Sequence, residues 1–323
     1  MKFLQSIVIG TMLALGLTAA SAADYPNKPI RLIIGTPASG SVDAVGRAIA
    51  LELKDSLKQP VVVENRPGAT GMVAAGLVAQ APADGYTLGV VWSSLPSSLA
   101  FNSRLSFTSR DVTGVFLGST IGFGLVANAN RPYNNFRELI EFAKKNPGKV
   151  SVGTSGVGGL GHLALSMLEK ETGAKFLHVP YNGLNNAVLA ALAGDIDLVT
   201  GEPGRVQQHI DAGKLKYIVN ISEKHLFIEP EYQKIESIAD RYPRLRGFQT
   251  WVGVIAPAGT PKEVLEKINT ALGQAAKGQR YQESLLRSGV RPLTSTVEEF
   301  NQLILNDLGR MYFIQRETGI KIE

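Results

Sequence analysis

The chain has 323 residues, of which 44% are hydrophobic and 19% charged. It is therefore long enough for two domains and can bury a sizeable core. It contains no cysteine, which excludes disulfide frameworks, thiolate metal sites and cysteine nucleophiles. The four histidines show no HExxH spacing, and the net charge of +5 is spread without blocks of one sign. We therefore expect no metal site and no nucleic-acid partner.

The first 22 residues have the pattern of a secretory signal peptide. Lys2 precedes an apolar stretch at 7–20, and an A-S-A sequence ends at Ala22, as such peptides require. The strictly apolar run is shorter than the 18 or more residues of a membrane-spanning helix, and Gly10 and Gly16 weaken it. We expect export to the periplasm and cleavage near Ala22. Because nucleotides are scarce there, no cofactor is expected.

Strand and helix patterns alternate along the rest of the chain. A β-rich run at 30–34 leads into an amphipathic helix with apolar residues every fourth position from Val45 to Leu57. Further strands are predicted at 61–63, 86–92, 124–127, 150–152, 176–179, 196–199, 217–219 and 251–255, and helices at 72–79, 136–145, 297–317 and from Pro261. Such alternation predicts an α/β fold of mostly parallel sheets flanked by helices.

The domain organisation follows from this alternation, which restarts after the predicted strand at 124–127 without a flexible linker. Two α/β units joined in this way predict a hinged, two-lobe binding fold with a ligand cleft between the lobes. We expect lobe one at 24–125 and 248–323 and lobe two at 126–247.

Two patterns could carry enzyme chemistry. Gly156, Gly158 and Gly161 match a dinucleotide fingerprint, but no acidic residue ends the next strand, as that site requires. Ser155 with His162 half resembles a nucleophile elbow, yet the G-x-S-x-G spacing fails. Glu64 and Asp84 lie beside glycine and asparagine, where carboxylates usually serve turns. We therefore expect no catalytic residue.

Polar turns that follow strands and precede helices are the more informative pattern. In open α/β sheets, ligands bind outside the carboxyl ends of the strands, where N–H groups and positive helix ends meet. Trp92 ends a strand on the same side and faces either the core or the ligand. The candidate ligand-binding residues of these turns are Thr36, Ala38, Ser39, Gly40, Ser41, Asp43, Arg66, Gly68, Ala69, Trp92, Ser93, Thr154, Ser155, Gly156, Gly158, His162, Tyr181 and Asn182.

The same turns carry a family resemblance that covers essentially all of the chain from Tyr25 onwards. The motifs are VVVENRPGA (61–69), ADGYTL (83–88), PGK (147–149), HVPYNG (178–183), AGKL (212–215) and APAGTP (256–261). In this order they resemble the solute receptors of tripartite tricarboxylate transporters, the Bug or TctC-like family. Two positions depart from the family: Ala38-Ser39 replaces Pro-Gly in the first loop, and Gly201 followed by Glu202 stands where relatives often carry Asp.

The resemblance implies a periplasmic receptor of the Venus flytrap type that captures a small carboxylate. Gly201 and Glu202 join the candidate site on this ground, and the missing carboxylate at Gly201 is expected to enlarge the cleft. Because Trp92, if it faces the cleft, offers a flat apolar wall for a ring, we expect an aliphatic or aromatic mono- or dicarboxylate. The implied partners are the solute and the membrane permease subunits, and the receptor itself is expected to be a monomer. Two alternatives stay open: an exported α/β hydrolase, and a periplasmic sensory adaptor without transport.

Overall fold

A computed structural model describes residues 25–38, 41–287 and 289–320. The predicted signal peptide, Ser39 and Gly40 lie outside the described residues. The strands are β1 (Ile30–Ile34), β2 (Val61–Asn65), β3 (Thr87–Trp92), β4 (Val112–Ile121), β5 (Gly124–Asn128), β6 (Val150–Thr154), β7 (Phe176–Pro180), β8 (Leu198–Gly201), β9 (Leu215–Asn220), β10 (Thr250–Pro257) and β11 (Arg291–Pro292). The helices are α1 (Ser41–Leu57), α2 (Met72–Ala79), α3 (Ser94–Phe101), α4 (Phe136–Lys145), α5 (Leu160–Thr172), α6 (Leu184–Ala193), α7 (Pro203–Asp211), α8 (Pro230–Gln233), α9 (Ile238–Arg241), α10 (Lys262–Ala275), α11 (Gln279–Leu286) and α12 (Val297–Thr318).

These strands form two sheets, ordered β11-β4-β10-β3-β1-β2 and β7-β6-β8-β5-β9. The predicted α/β fold of two sheets flanked by helices is confirmed, but each sheet is mixed rather than mostly parallel. Strand β1 runs parallel to β2 and β3, and β6 runs parallel to β7 and β8. Strands β10 and β5 run antiparallel to their neighbours. The reason is that each of these two strands begins at the edge where a neighbour ends: β10 begins beside the end of β3, and β5 begins beside the end of β8.

Helix α12 is amphipathic, and its apolar side packs on both halves of the molecule. Its first part places Phe300 and Ile304 in a core with Trp251 of the first sheet. Its second part places Met311 and Ile314 in the core beneath the second sheet. The chain therefore crosses between the sheets at 122–123 and 221–249, and α12 spans them again. No helix in the described part of the chain is both long and apolar enough to cross a membrane.

Candidate functional site

A cavity of about 280 Å³ lies between the two sheets, at the ends of β1, β3 and β8 and the start of β10. Both sheets contribute to its wall, together with Phe123 at the first crossing. Its lining residues are Thr36, Ser41, Val42, Thr70, Trp92, Ser93, Ser94, Phe123, Ser155, Gly159, Leu160, Gly161, Leu184, Thr200, Glu202, Arg205 and Thr250. The hydroxyl of Thr36 is buried and has no hydrogen-bond partner among the described residues.

Five helices begin at this cavity: α1, α3, α5, α6 and α7. In each case the first helical residue or the residue before it belongs to the lining. The N-caps of α3, α5, α6 and α7 make no side-chain capping bond. Away from the cavity, Asn135 caps α4 and Thr296 caps α12, whereas the N-caps of α10 and α11 also make no side-chain bond. Free N–H groups and aligned peptide dipoles make helix N-termini favourable for anions.

One ion pair supplies the formal charge of the cavity wall. Among the described lining residues, only Glu202 and Arg205 are charged. They lie one turn apart around the start of α7, with Arg205 Nε 2.9 Å from Glu202 Oε2. The guanidinium also donates to Ser41 Oγ, at 3.1 Å from Nη2. This last bond joins the second sheet's side of the cavity to the first sheet's side.

The remaining wall is largely apolar. The Trp92 indole lies against the backbone of Gly35 and Gly71, where a Cβ would come within 3.2 and 2.4 Å of ring carbons. The ring packs with the first core and also lines the cavity, so the two alternatives for Trp92 are compatible. Phe123 and Leu160 face the same space. This composition suits a ligand with an apolar body.

The structure brings six of the predicted site residues to the cavity: Thr36, Ser41, Trp92, Ser93, Ser155 and Glu202. Twelve others lie outside the lining: Ala38, Asp43, Arg66, Gly68, Ala69, Thr154, Gly156, Gly158, His162, Tyr181, Asn182 and Gly201. Of these, Ala38, Arg66, Gly68 and Ala69 are exposed, and Tyr181 packs on the core around β5 and α6. Ser39 and Gly40 lie outside the described residues.

Asp43 lies behind the turn between β1 and α1. Its carboxylate is almost fully buried and accepts hydrogen bonds from Asn65 Nδ2 at 2.8 Å and Arg47 Nε at 2.9 Å. The same Asn65 amide donates to the Thr36 carbonyl at 2.9 Å. Asp43 therefore fixes the cavity turn through Asn65.

Thr154 and His162 lie behind the turn between β6 and α5. The buried Thr154 hydroxyl is 2.7 Å from His178 Nε2, and Gly158 N donates to His162 Nδ1 at 3.0 Å. The two imidazoles stack with centroids 4.0 Å apart. Burial, with a smaller contribution from His178, lowers the pKa of His162 to about 4. Burial also lowers the pKa of His178, against the opposing effect of Glu169.

Gly201 does not enlarge the cavity, so that expectation was wrong. A Cβ at this position would lie 2.7 Å from Val126 Cγ2 and 3.1 Å from Val206 Cγ1. The glycine is explained by the close packing of β8 against β5 and α7.

His162 and Glu64, two of the residues considered for catalysis, serve structural bonds. His162 accepts a hydrogen bond from Gly158 N and stacks on His178. It therefore supports the turn that contains Ser155. Glu64 accepts hydrogen bonds from Arg31 and Arg66, and chiefly the bond from Arg31 lowers its pKa to about 2. A carboxylate held ionised in this way is a poor proton donor near neutral pH.

Sequence reasoning missed Arg205, Ser94, Thr200 and Leu184, which line the cavity. Arg205 could have been found, because it lies three residues after Glu202 and so on the same side of a helix that starts at Pro203. Ser94 directly follows two predicted residues. Thr200 could not have been predicted, because it lies inside β8 and the sequence does not show on which face of the sheet its side chain lies.

Comparison with known proteins agrees with this geometry. The family model described as "Tripartite tricarboxylate transporter family receptor" (TctC) matches residues 45–320. A UPF0065 protein from Pseudomonas sp. strain P51 is 32% identical over 95% of this chain and 92% of its own. Protein BugT of Bordetella pertussis is 30% identical over 98% of both. The chain belongs to this family of receptors, which is a class of binding proteins and not of enzymes.

Solved structures show the same fold. One described as a periplasmic transporter has a TM-score of 0.79 and 31% identity, covering 93% of this chain and all of its own. The periplasmic binding protein BugD has a TM-score of 0.76 and 26% identity, with the same coverage. An R. palustris protein solved with adipate, at 23% identity and a TM-score of 0.78, covers 92% of this chain and 99% of its own.

Proposed function

We propose that the protein captures a small carboxylate in the cavity between its sheets and delivers it to the membrane permease subunits of a tripartite tricarboxylate-type transporter. The observation that carries this proposal is the convergence of five helix N-termini on one cavity, four of them without side-chain caps. The buried, unpartnered Thr36 hydroxyl adds a donor at the same place. Adipate in the R. palustris structure is consistent with this class of solute.

The same proposal extends to the two lobes, the oligomeric state and the location of the receptor. The sheet of β1 and the sheet of β6, each with its helices, would be the two lobes, and closure between them would enclose the solute. The receptor would act as a monomer in the periplasm after cleavage near Ala22. Helix N-termini attract the charged group of a ligand, whatever carbon skeleton carries it. The proposal therefore covers both aliphatic and aromatic carboxylates.

A thermal-shift screen on refolded protein tests the proposal. The probes are hexanoate, adipate, 4-methylbenzoate and terephthalate, with glucose and spermidine as non-anionic comparisons. A ligand at a hundred times its Kd stabilises the folded state by about 2.7 kcal/mol, so at least one carboxylate should raise the melting temperature by several degrees. Stabilisation by glucose or spermidine alone would contradict the proposal.

A matched pair of variants locates the binding. Ser155 is exposed and lines the cavity, whereas Ser103 is exposed outside it. Ser155→Tyr should fill part of the cavity and abolish the shift, while Ser103→Tyr should retain it. Equal shifts in both variants would place the solute elsewhere.

A further inference from the structure

Arg205 is held as a fixed cation at the boundary between the two sides of the cavity. Three helices position its guanidinium. Nε donates to Glu202 Oε2 at 2.9 Å, Nη1 to Asn185 Oδ1 of α6 at 2.6 Å, and Nη2 to Ser41 Oγ of α1 at 3.1 Å. Its side chain is 27% exposed. A guanidinium has five N–H donors, so two remain for a ligand in addition to those three.

The acceptor from α1 is the weakest of the three partners. Ser41 Oγ is a neutral hydroxyl at the longest distance, and Ser41 lines the cavity. A carboxylate carries the opposite charge to a guanidinium and can accept two parallel N–H bonds from it, whereas a serine hydroxyl is neutral and offers a single oxygen. A solute carboxylate beside the N-terminus of α1 would therefore be a better partner for Nη2 than the serine is.

Glu202 limits how much negative charge the same space accepts. Its carboxylate is 15% exposed and fixed by Arg205, so the pair contributes no net charge to the wall. The helix N-termini and the two remaining N–H groups of Arg205 can therefore stabilise one solute carboxylate. A second solute carboxylate would lie in the same cavity of about 280 Å³ as the Glu202 carboxylate. Like charges this close together repel each other substantially where little water is present.

We infer that Arg205 receives the solute's carboxylate and that Glu202 makes this receptor select monocarboxylates with an apolar body over dicarboxylates. The inference rests on the proposed function and refines it, because it names the discriminating residues. The apolar body would lie against Trp92, Phe123 and Leu160, which line the cavity together with several serine and threonine residues.

Calorimetry with size-matched probes tests the selectivity. Hexanoate is compared with adipate, and 4-methylbenzoate with terephthalate, so that each pair exchanges a methyl group for a carboxylate. For the wild-type protein we expect at least one monoacid to bind about tenfold more tightly than its diacid. Glu202→Gln removes the repelling charge and should reduce that preference by about tenfold. A diacid that binds more tightly than its monoacid to the wild-type protein would overturn the role given to Glu202.

The role of Arg205 is tested on the same monoacid. Arg205→Gln should weaken binding about 10- to 100-fold, the range for hydrogen bonds to charged groups. Arg205→Lys keeps the charge and should weaken binding less, and it replaces the Gln variant if that variant fails to fold. Arg137→Gln, which removes an exposed arginine of α4 paired with Glu141, is the control and should bind as the wild-type protein does.

The outcomes separate this inference from the proposed function. If no carboxylate binds the wild-type protein, the proposed function fails. If a carboxylate binds and Arg205→Gln or Arg205→Lys retains wild-type affinity, the receptor function stands and the role of Arg205 is wrong.

Discussion

The turn after β1 and the turn after β6 both bring hydroxyl groups to the cavity, but different chemistry holds each of them from behind. Behind the first turn, Asp43, Arg47 and Asn65 form a clamp that includes an ion pair. Behind the second, Thr154, His178 and His162 form a brace whose stacked imidazoles are buried enough to lower the pKa of both histidines. We call these the carboxylate clamp and the imidazole brace.

Two turns that line the same cavity can therefore respond differently to acid and to substitution. The clamp depends on a charge that is present near neutral pH. The brace depends on the neutral form of His162, because Nδ1 must have a free lone pair to accept the Gly158 N–H. Acid should therefore act first on the second turn, whereas removal of a carboxylate should act only on the first.

The largest expected effect is the loss of stability in mild acid. The pKa of His162 is about 4 in the folded protein against about 6.5 in an unfolded chain. Since the unfolded state binds the proton more readily, this stabilisation is complete above pH 6.5 and is lost as the pH falls towards 4. At 1.36 kcal/mol per pKa unit its upper bound is about 3 kcal/mol, which solvent screening at the partly exposed ring reduces. Urea unfolding between pH 7.5 and 4 measures it.

The control for acid sensitivity is another histidine. His162→Gln should flatten the fall in unfolding free energy between pH 6.5 and 4.5, while His225→Gln, at an exposed position, should leave it unchanged. Parallel curves for wild type and His162→Gln would show that the imidazole brace does not sense pH.

The next effect concerns the carboxylate clamp. Asp43→Ala leaves one Asn65 N–H without its acceptor and removes a negative charge from the first turn of α1. We expect a loss of about 2 kcal/mol in unfolding free energy at pH 7, since an unsatisfied buried donor costs about 1–3 kcal/mol. Asp43→Asn retains an oxygen acceptor for Asn65 and should lose clearly less. If both variants lose the same amount, the charge and not the Asn65 bond holds the turn.

The carboxylate clamp and the imidazole brace also illustrate which features cannot be predicted from the sequence. The sequence predicted α2 and α4 at their observed bounds. For α4 the signal is local, because its apolar residues recur at helical spacing. Strand β4 was missed: Gly114 and Gly118 weaken its strand pattern, and both are explained only by the close approach of Phe300 and Tyr281 from distant helices.

The candidate site was predicted in part for the same reason. The edge at which strands end can be predicted from the order of elements, so Ser41 and Ser93 were expected near one cleft, and both line the cavity. Glu202, which also lines it, was expected there only from the family resemblance. Whether a residue of a turn faces the cavity or lies behind it depends on side-chain partners far along the chain, as Asp43 with Asn65 shows. Spacing within a single turn does not contain that information.

A smaller effect should follow from loss of the hydroxyl in the imidazole brace. Thr154→Val keeps the shape but removes the oxygen that bonds to His178 Nε2 and accepts from Gly156 N. We expect a loss of about 1 kcal/mol at pH 7, typical of one net hydrogen bond. Thr154→Ser keeps the hydroxyl and is the control. A Val variant as stable as the Ser variant would mean that packing, and not the Thr154 bond, supports His178.

The smallest effect distinguishes the two partners of Asp43. Arg47 is 52% exposed and lies one turn after Asp43 on α1, a geometry in which ion pairs contribute about 0.3–0.5 kcal/mol. Asn65, in contrast, bonds Asp43 and the Thr36 carbonyl together. Arg47→Gln should therefore lower the unfolding free energy by no more than about 0.5 kcal/mol, and by less still in 0.5 M NaCl, where exposed charges are screened. Asn65→Ala should cost more than Arg47→Gln at either salt concentration. If Arg47→Gln cost more stability than Asn65→Ala, the Asp43–Arg47 ion pair would be the main contact of the carboxylate clamp. The two turns would then differ in the charge of their supporting residues as well as in their response to acid.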